Sequence, residues 1–297
     1  MRSITKSIIF VVLSVICASF TLGAGEDNGS MGVNITSAMP QINTNELNEQ
    51  GDSGDESMDL TPGNTTSLMC SGNATDFDGN NDIDFIWADL YSNLTTYDSE
   101  LNNTDHYQNS SCAYDAGASI YNCTFNVQFY ADPTNWICNV SVNDSYNLTH
   151  YRHDNASITT LLAIDIPDAT FLDFGDMMIG DNKSTEHNIT LENKGNIEID
   201  VDVDTWETTG DQDSANALNC SLGNIPIDNF RVSLTKGAYG TYTPMTQVGY
   251  TSYDNNLGRQ VSGVSPTTDI VYLGLMIPAL GMGGTCTGVI SLQAVSS

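Results

Sequence analysis

The residues of this chain best suited to chemistry are oxygen donors. One run reads Asp76-Phe-Asp78-Gly-Asn80-Asn81-Asp82-Ile-Asp84. Hard cations want several oxygen ligands gathered by a tight loop, and D-x-D-G-x-x-D supplies carboxylates and amides around a turn glycine. The twelve-residue spacing and terminal glutamate of an EF-hand are absent. Asp76, Asp78, Asn80, Asp82 and Asp84 are therefore candidate calcium ligands. The alternative is an Asx-rich turn, in which the same side chains bond their own backbone.

Other polar groupings carry weaker chemistry. Glu198, Asp200, Asp202 and Asp204 alternate with Ile197, Ile199, Val201 and Val203, which places four acids on one sheet face. Like charges at that spacing repel, so a solvated face that blunts an edge is expected. His150-Tyr-Arg-His153 reads as a polar loop with no helical frame or nearby cysteine, and no metal pair is expected there. The stretch from Tyr239 to Tyr253, with Tyr242 and Tyr250, makes either a sugar platform or turns at a sandwich end. No Gly-x-Ser-x-Gly occurs, and with four histidines no nucleophile–base arrangement can be named. Carboxylate pairs for glycoside hydrolysis are not singled out among 37 acids, so no catalytic residue is assigned.

Composition narrows the partners. Eight Lys+Arg against 37 Asp+Glu give a formal charge of −29 over 297 residues. A nucleic-acid binder needs a basic surface to displace counterions, which excludes that class. Residues Met1 to Ala24 have the parts of a secretory signal: Arg2 and Lys6, an apolar run from Ile8 to Ile16, then small residues. The apolar run is short for a membrane span, so cleavage is expected, with an uncleaved anchor as the alternative. Without it the charge becomes 6 − 37 = −31, and no Lys or Arg lies between Gly25 and Thr149. A secreted or cell-surface location is expected, with no integral membrane span beyond a retained signal.

Sequons and cysteines fit export. Fifteen Asn-x-Ser/Thr sites occur, twelve of them before Ser157. Asn64, Asn73, Asn93, Asn109, Asn122, Asn139, Asn143, Asn147, Asn155, Asn188 and Asn219 are the glycan acceptors expected in a host with the transferase. Six cysteines remain after the signal, four in one block and two in another. CxxC-like metal spacing is absent, so disulfides are expected in an oxidising compartment. The expected pairs are Cys70–Cys138, Cys112–Cys123 and Cys220–Cys286.

These residues must be positioned by strands. Residues 25–59 are polar and acidic and read as a disordered arm, although Met31-Gly-Val-Asn-Ile-Thr could pair as an added strand. From Leu60 the period is two. Cys123, Phe125, Val127 and Phe129 alternate with polar residues, as do Trp136, Cys138, Val140 and Val142. The sequon residues Asn122, Asn139 and Asn143 fall on the wet face of this alternation. The expected domains are a sandwich over 60–162 and a second over 163–297.

Cys70 in Thr66-Ser-Leu-Met-Cys-Ser, Trp87 in Phe85-Ile-Trp-Ala, and Asp132-Pro-Thr-Asn-Trp-Ile-Cys138-Asn-Val140 together resemble an immunoglobulin-like sandwich. The last segment is similar to the D-x-x-x-Y-x-C-x-V signature of strand F, with Trp136 at the tyrosine place. The indole brings an N–H where tyrosine brings a hydroxyl. The resemblance covers about 80 of 297 residues and implies a fold but no activity. In the second block, Phe171-Leu-Asp-Phe-Gly and His187-Asn-Ile-Thr-Leu-Glu-Asn-Lys-Gly-Asn196 resemble the first hairpin of sandwich modules in exported surface proteins, in the style of secreted archaeal envelope proteins.

The expectation is an all-β chain of two tandem disulfide-bonded β-sandwich domains behind a signal peptide (1–24) and an acidic arm (25–59). Its expected role is structural or adhesive in an envelope or filament. Its expected partners are other envelope proteins, its own copies, or glycans. A calcium- or carbohydrate-binding module is the alternative, and a glycan-active hydrolase the third.

Overall fold

A computed structural model describes residues 32–33, 37–51, 57–95, 101, 103–167, 172–184, 186–208, 214–246, 249–263 and 265–297. The expected signal peptide, and the sequons at Asn28, Asn34 and Asn102, lie outside the described residues. Ser37–Ser297 forms one compact unit. No described helix is long and apolar enough to cross a membrane.

In chain order the first strands are β1 (Gln41–Glu49), β2 (Ser57–Met58), β3 (Thr65–Thr75), β4 (Ile83–Ser92), β5 (His106–Asn109), β6 (Ala113–Asp115), β7 (Ile120–Gln128), β8 (Asn135–Asp144) and β9 (Thr149–Ile158). They make two sheets, in the orders β1-β3-β7-β6 and β2-β9-β8-β4-β5. Among the described residues of these two sheets, only the short β2–β9 pair is parallel. The alternation in β7 and β8 puts Cys123, Phe125, Val127, Trp136, Cys138, Val140 and Val142 into one core between the sheets. Cys70 on β3 and Cys138 on β8 bridge the two sheets through that core, and Cys112–Cys123 ties the β5–β6 connection to β7.

One edge strand of this sandwich comes from a segment expected to be disordered. Residues 41–49 of the acidic arm are strand β1, paired antiparallel with Leu68–Thr75 of β3. Ile42 and Leu47 are both buried, although their odd spacing would place them on opposite faces of a regular strand. A register shift between Ile42 and Thr44 restores the inward side for both. At Gly72 of β3 an added Cβ would lie 2.0 Å from the Thr44 carbonyl oxygen. Glycine there lets the bulged strand approach, and Tyr121 Oη donates to that same carbonyl at 2.8 Å. The outer edge of β1 is closed by β9 side chains: Leu47 N–H donates to Asp154 Oδ2 at 2.9 Å and Ile42 N–H to His150 Nδ1 at 3.2 Å. These two bonds occupy backbone donors that an edge strand would otherwise offer to another chain.

The resemblance to an immunoglobulin-like sandwich is altered at both tryptophans. Trp136, at the tyrosine place, is the largest fully buried side chain and packs beside Tyr107 at 5.8 Å between ring centroids. Trp87 lies on the other face of β4, half-buried, because Ile86, Ala88 and Leu90, with Ile83 at the strand's start, are the residues that pack into the core.

The later strands are β10 (Ile164–Asp165), β11 (Asn182–Lys183), β12 (Asn188–Asn193), β13 (Ile199–Glu207), β14 (Asn216–Leu222), β15 (Asn224–Pro226), β16 (Phe230–Ser233), β17 (Thr243–Pro244), β18 (Thr251–Leu257), β19 (Thr268–Met276) and β20 (Gly283–Ser296). One sheet runs β10-β12-β19-β16-β17, with β11 also paired to β19, and the other runs β15-β14-β20-β13-β18. A second, separate core fills the space between them, with Leu191, Ile199, Val201, Val203, Val271 and Leu273 fully enclosed. Cys220 and Cys286 are bridged across directly paired positions of β14 and β20. The chain is thus all-β, with two disulfide-bonded sandwiches in sequence.

The two sandwiches meet through a tight joint. Asn196 is fully buried; its Oδ1 accepts from Leu161 N–H at 2.8 Å and its Nδ2 donates to the Thr159 carbonyl at 2.9 Å. Lys194 N–H donates to the Ala163 carbonyl, and Gly63 N–H to that of Lys194. Gly195 has the Leu161 carbonyl oxygen 2.1 Å from where a Cβ would stand. The Asn193-Lys-Gly-Asn196 turn therefore clamps the connecting segment. Arg259 completes the clamp with an ion pair to Asp132 at 2.5 Å.

Candidate functional site

Three carboxylates converge at one end of the first sandwich. Asp76 follows β3, Asp82 closes the 3-10 turn Asn80–Asp82 before β4, and Asp144 ends β8. One oxygen of each lies within 4.8 Å of those of the other two. Asp76 is 8% exposed and Asp144 1%.

Local hydrogen bonds fix these side chains and leave one oxygen of Asp76 and one of Asp82 uncommitted. Asp76 Oδ1 accepts from Asp78 N–H at 2.8 Å, an Asx turn. Asp144 Oδ1 accepts from Tyr146 N–H at 2.9 Å and Leu148 N–H at 2.7 Å, which shapes the β8–β9 hairpin. Asp82 is tied to that hairpin twice: its Oδ1 accepts from Ser145 Oγ and its carbonyl from Ser145 N–H. Asp76 Oδ2 and Asp82 Oδ2 are both buried and have no hydrogen-bond partner. Burial pushes the Asp76 carboxyl above the usual carboxylate range against the opposing Asp78 N–H, and the charges of Asp78, Asp82 and Asp144 add to that push.

Two of the five ligands expected from sequence are in this cluster, and one member was missed. Asp78 Oδ2 instead accepts from Ala38 N–H at 2.6 Å and Ser37 Oγ at 2.8 Å, and the Ala38 bond holds its carboxyl below the usual range. Asn80 braces the turn before β7: its Nδ2 donates to Ser119 Oγ at 2.6 Å and the Ala116 carbonyl at 3.1 Å. Asp84 is exposed on β4. Asp144, 60 residues beyond the end of the acidic run, escaped because it sits inside Asn143-Asp-Ser, which reads as a glycan acceptor. Its one legible signal is an Asp placed to cap a hairpin.

Other sequence expectations are corrected. His150 and His153 lie on strand β9, not in a loop, where positions three apart point to opposite faces. Of the four acids in alternation, Glu198 is exposed and Asp200 and Asp202 half-buried, but Asp204 is 0% exposed. The face is not uniformly solvated. Tyr239, Tyr242 and Tyr253 are buried, with hydroxyls donating to Asn229 O, Ser184 O and Met245 Sδ, so they form packing rather than a platform. An aromatic surface occurs elsewhere. Phe85 is 44% exposed and stands 5.0 Å from Trp87, and register places Trp87, Ser141 and the exposed Tyr151 in one row across β4, β8 and β9.

Among the expected acceptors, Asn64, Asn93, Asn122, Asn147, Asn155 and Asn188 are exposed, while Asn73, Asn109, Asn139 and Asn219 are half-buried. Asn143 is not on a wet face: it is 6% exposed, its Nδ2 donates to the Asp144 carbonyl and its Oδ1 accepts from Thr149 Oγ1. The end of β8 is covered on both sides, which the alternation alone does not report.

No protein-family model and no curated protein matches the chain. Among solved structures it is similar to carbohydrate-binding modules from the β-sandwich superfamily, with 10% identity over 88% of this chain and 98% of that one and a TM-score of 0.27. It is similar also to the teleost fish polymeric Ig receptor ectodomain, with 11% identity, 82% and 92% coverage, and a TM-score of 0.24. Dimeric latent PorU from Porphyromonas gingivalis shares 14% identity over 85% of this chain and 20% of its own, with a TM-score of 0.27. Such values place the chain in none of these families.

Proposed function

We propose that this is a non-catalytic, exported cell-surface glycoprotein with a structural or adhesive role in an envelope or filament. The observation that carries the reading is the joint at Asn196, which makes two stapled sandwiches mechanically continuous. Sandwiches cross-linked by disulfides resist unfolding and proteolysis outside the cell. The secretory signal at 1–24, the exposed sequons and the acidic surface support the same location. Self-association or contact with other envelope proteins would supply the partner. The test is microscopy and light scattering of the native glycosylated protein. Filaments or defined higher assemblies are expected, and a strict monomer at cell-surface concentrations would overturn the reading.

A second reading, a carbohydrate-binding module, is favoured by the Phe85, Trp87 and Tyr151 surface, where flat rings share one sheet face. A glycan array separates the two. Binding by the monomer that is lost in Trp87→Ala supports it, whereas no binding on any sugar sinks it.

A further inference from the structure

We propose that Asp76, Asp82 and Asp144 bind a divalent cation of the calcium class that joins the two sheets of the first sandwich at one end. Three carboxylates brought within 4.8 Å of one another are strongly unfavourable without a compensating charge. No lysine or arginine from Gly25 to Thr149 could supply that charge. Nor do the described ion pairs include any of the three, being His106–Asp89, Lys194–Glu192 and Arg259–Asp132.

A second observation points to a ligand. Asp76 is more than nine-tenths buried, and its Oδ2 has no hydrogen-bond partner. A buried carboxylate oxygen in that state costs free energy unless something fills the site. Asp82 Oδ2 is orphaned in the same way. Their other oxygens are already spent on Asp78 N–H and Ser145 Oγ, so local bonding leaves one oxygen from each free to point at a shared ion.

The donor chemistry selects the class of ion, since carboxylate oxygens alone suit a hard divalent cation. Magnesium demands near-ideal octahedral geometry and dehydrates reluctantly, whereas calcium accepts irregular sets of carboxylate oxygens. Three carboxylates leave coordination positions for water or carbonyl oxygens, as calcium accepts. The ion would connect the end of β3 in one sheet to the end of β8 in the other, across the turn that starts β4. Asp144 also accepts from Ser37 Oγ at 3.5 Å, so the segment leading into β1 would be held with it.

The test uses the full chain, stripped with EDTA, exchanged into metal-free buffer and titrated with CaCl2 in calorimetry and thermal melts. One calcium per chain is expected, with a rise in Tm of about 5–10 °C at a hundredfold excess over Kd. Asp144→Asn and Asp76→Asn should abolish both heat and shift, and the exposed Asp84→Asn should retain them. If the buried variants do not fold, Asp82→Asn and the wild-type stoichiometry decide the matter. Absence of heat and of any Tm change in the stripped wild type would overturn the proposal. So would loss of binding in Asp84→Asn with retention in Asp82→Asn or Asp144→Asn. Either failure leaves the structural reading of the whole chain standing, since assembly is measured separately.

Discussion

The indole N–H of Trp136 donates to the carbonyl of Asp132 at 2.8 Å, four residues earlier in the turn that leads into β8. In an immunoglobulin-like sandwich a tyrosine at this place reaches back from its hydroxyl to upstream backbone. Here the indole makes the bond from inside the core, because Trp136 is fully buried.

Trp136→Phe keeps an aromatic ring and removes the donor. It leaves the Asp132 carbonyl without this partner and a void beside Tyr107. A loss of about 2–4 kcal/mol is expected in urea unfolding. A loss below about 0.5 kcal/mol would show that the bond does not hold the turn.

The joint makes a sharper prediction. Gly195→Ala drives a methyl into the Leu161 carbonyl, 2.1 Å away. The backbone must move, at about 1–3 kcal/mol. Asn196→Ala removes both side-chain bonds to the linker, with a comparable loss. In both variants, limited proteolysis is expected to cut between Thr159 and Ala163, where the wild type resists. Equal resistance would mean that the clamp is dispensable.

Stability should also respond to pH through β1. Burial, helped by the Arg152 charge, holds His150 below the usual imidazole range, and its neutral Nδ1 accepts from Ile42 N–H. A histidine whose folded pKa is depressed contributes stability above its unfolded value of about 6.5, and that contribution is lost as pH falls through the folded value. The Tm of the wild type minus that of His150→Gln is therefore expected to fall between pH 7 and pH 5. A flat difference would contradict the assignment.

Glycan occupancy tests the faces of the strands. Site-resolved mass spectrometry of native protein should find glycans at exposed acceptors such as Asn64, Asn122, Asn147 and Asn155 and none at Asn143. Full occupancy at Asn143 would require the end of β8 to be modified before it folds.

The parts of the fold legible in sequence were those carried by near neighbours in the chain. Alternation in β7 and β8 marks the core face directly, since a strand turns successive side chains to opposite sides. β1 was hidden for the same reason in reverse. Its bulge puts Ile42 and Leu47 on one side at an odd spacing, so the strand presents no alternation to read. Asp204 continues a regular polar alternation, yet it is fully buried. The aromatic run from Tyr239 likewise has no periodicity that separates a buried cluster from a binding face.

By itself the sequence determined that this is a β-rich, acidic chain, with its cysteines after residue 24 divided four and two. Composition and spacings of two to four residues suffice for those conclusions. Only the tertiary structure decided which oxygens meet. The acidic run supplies Asp76 and Asp82, but the third carboxylate comes from Asp144 because β8 pairs with β4 and so ends beside the turn that begins it. Strand register over 60 residues sets that meeting, and no local pattern encodes it.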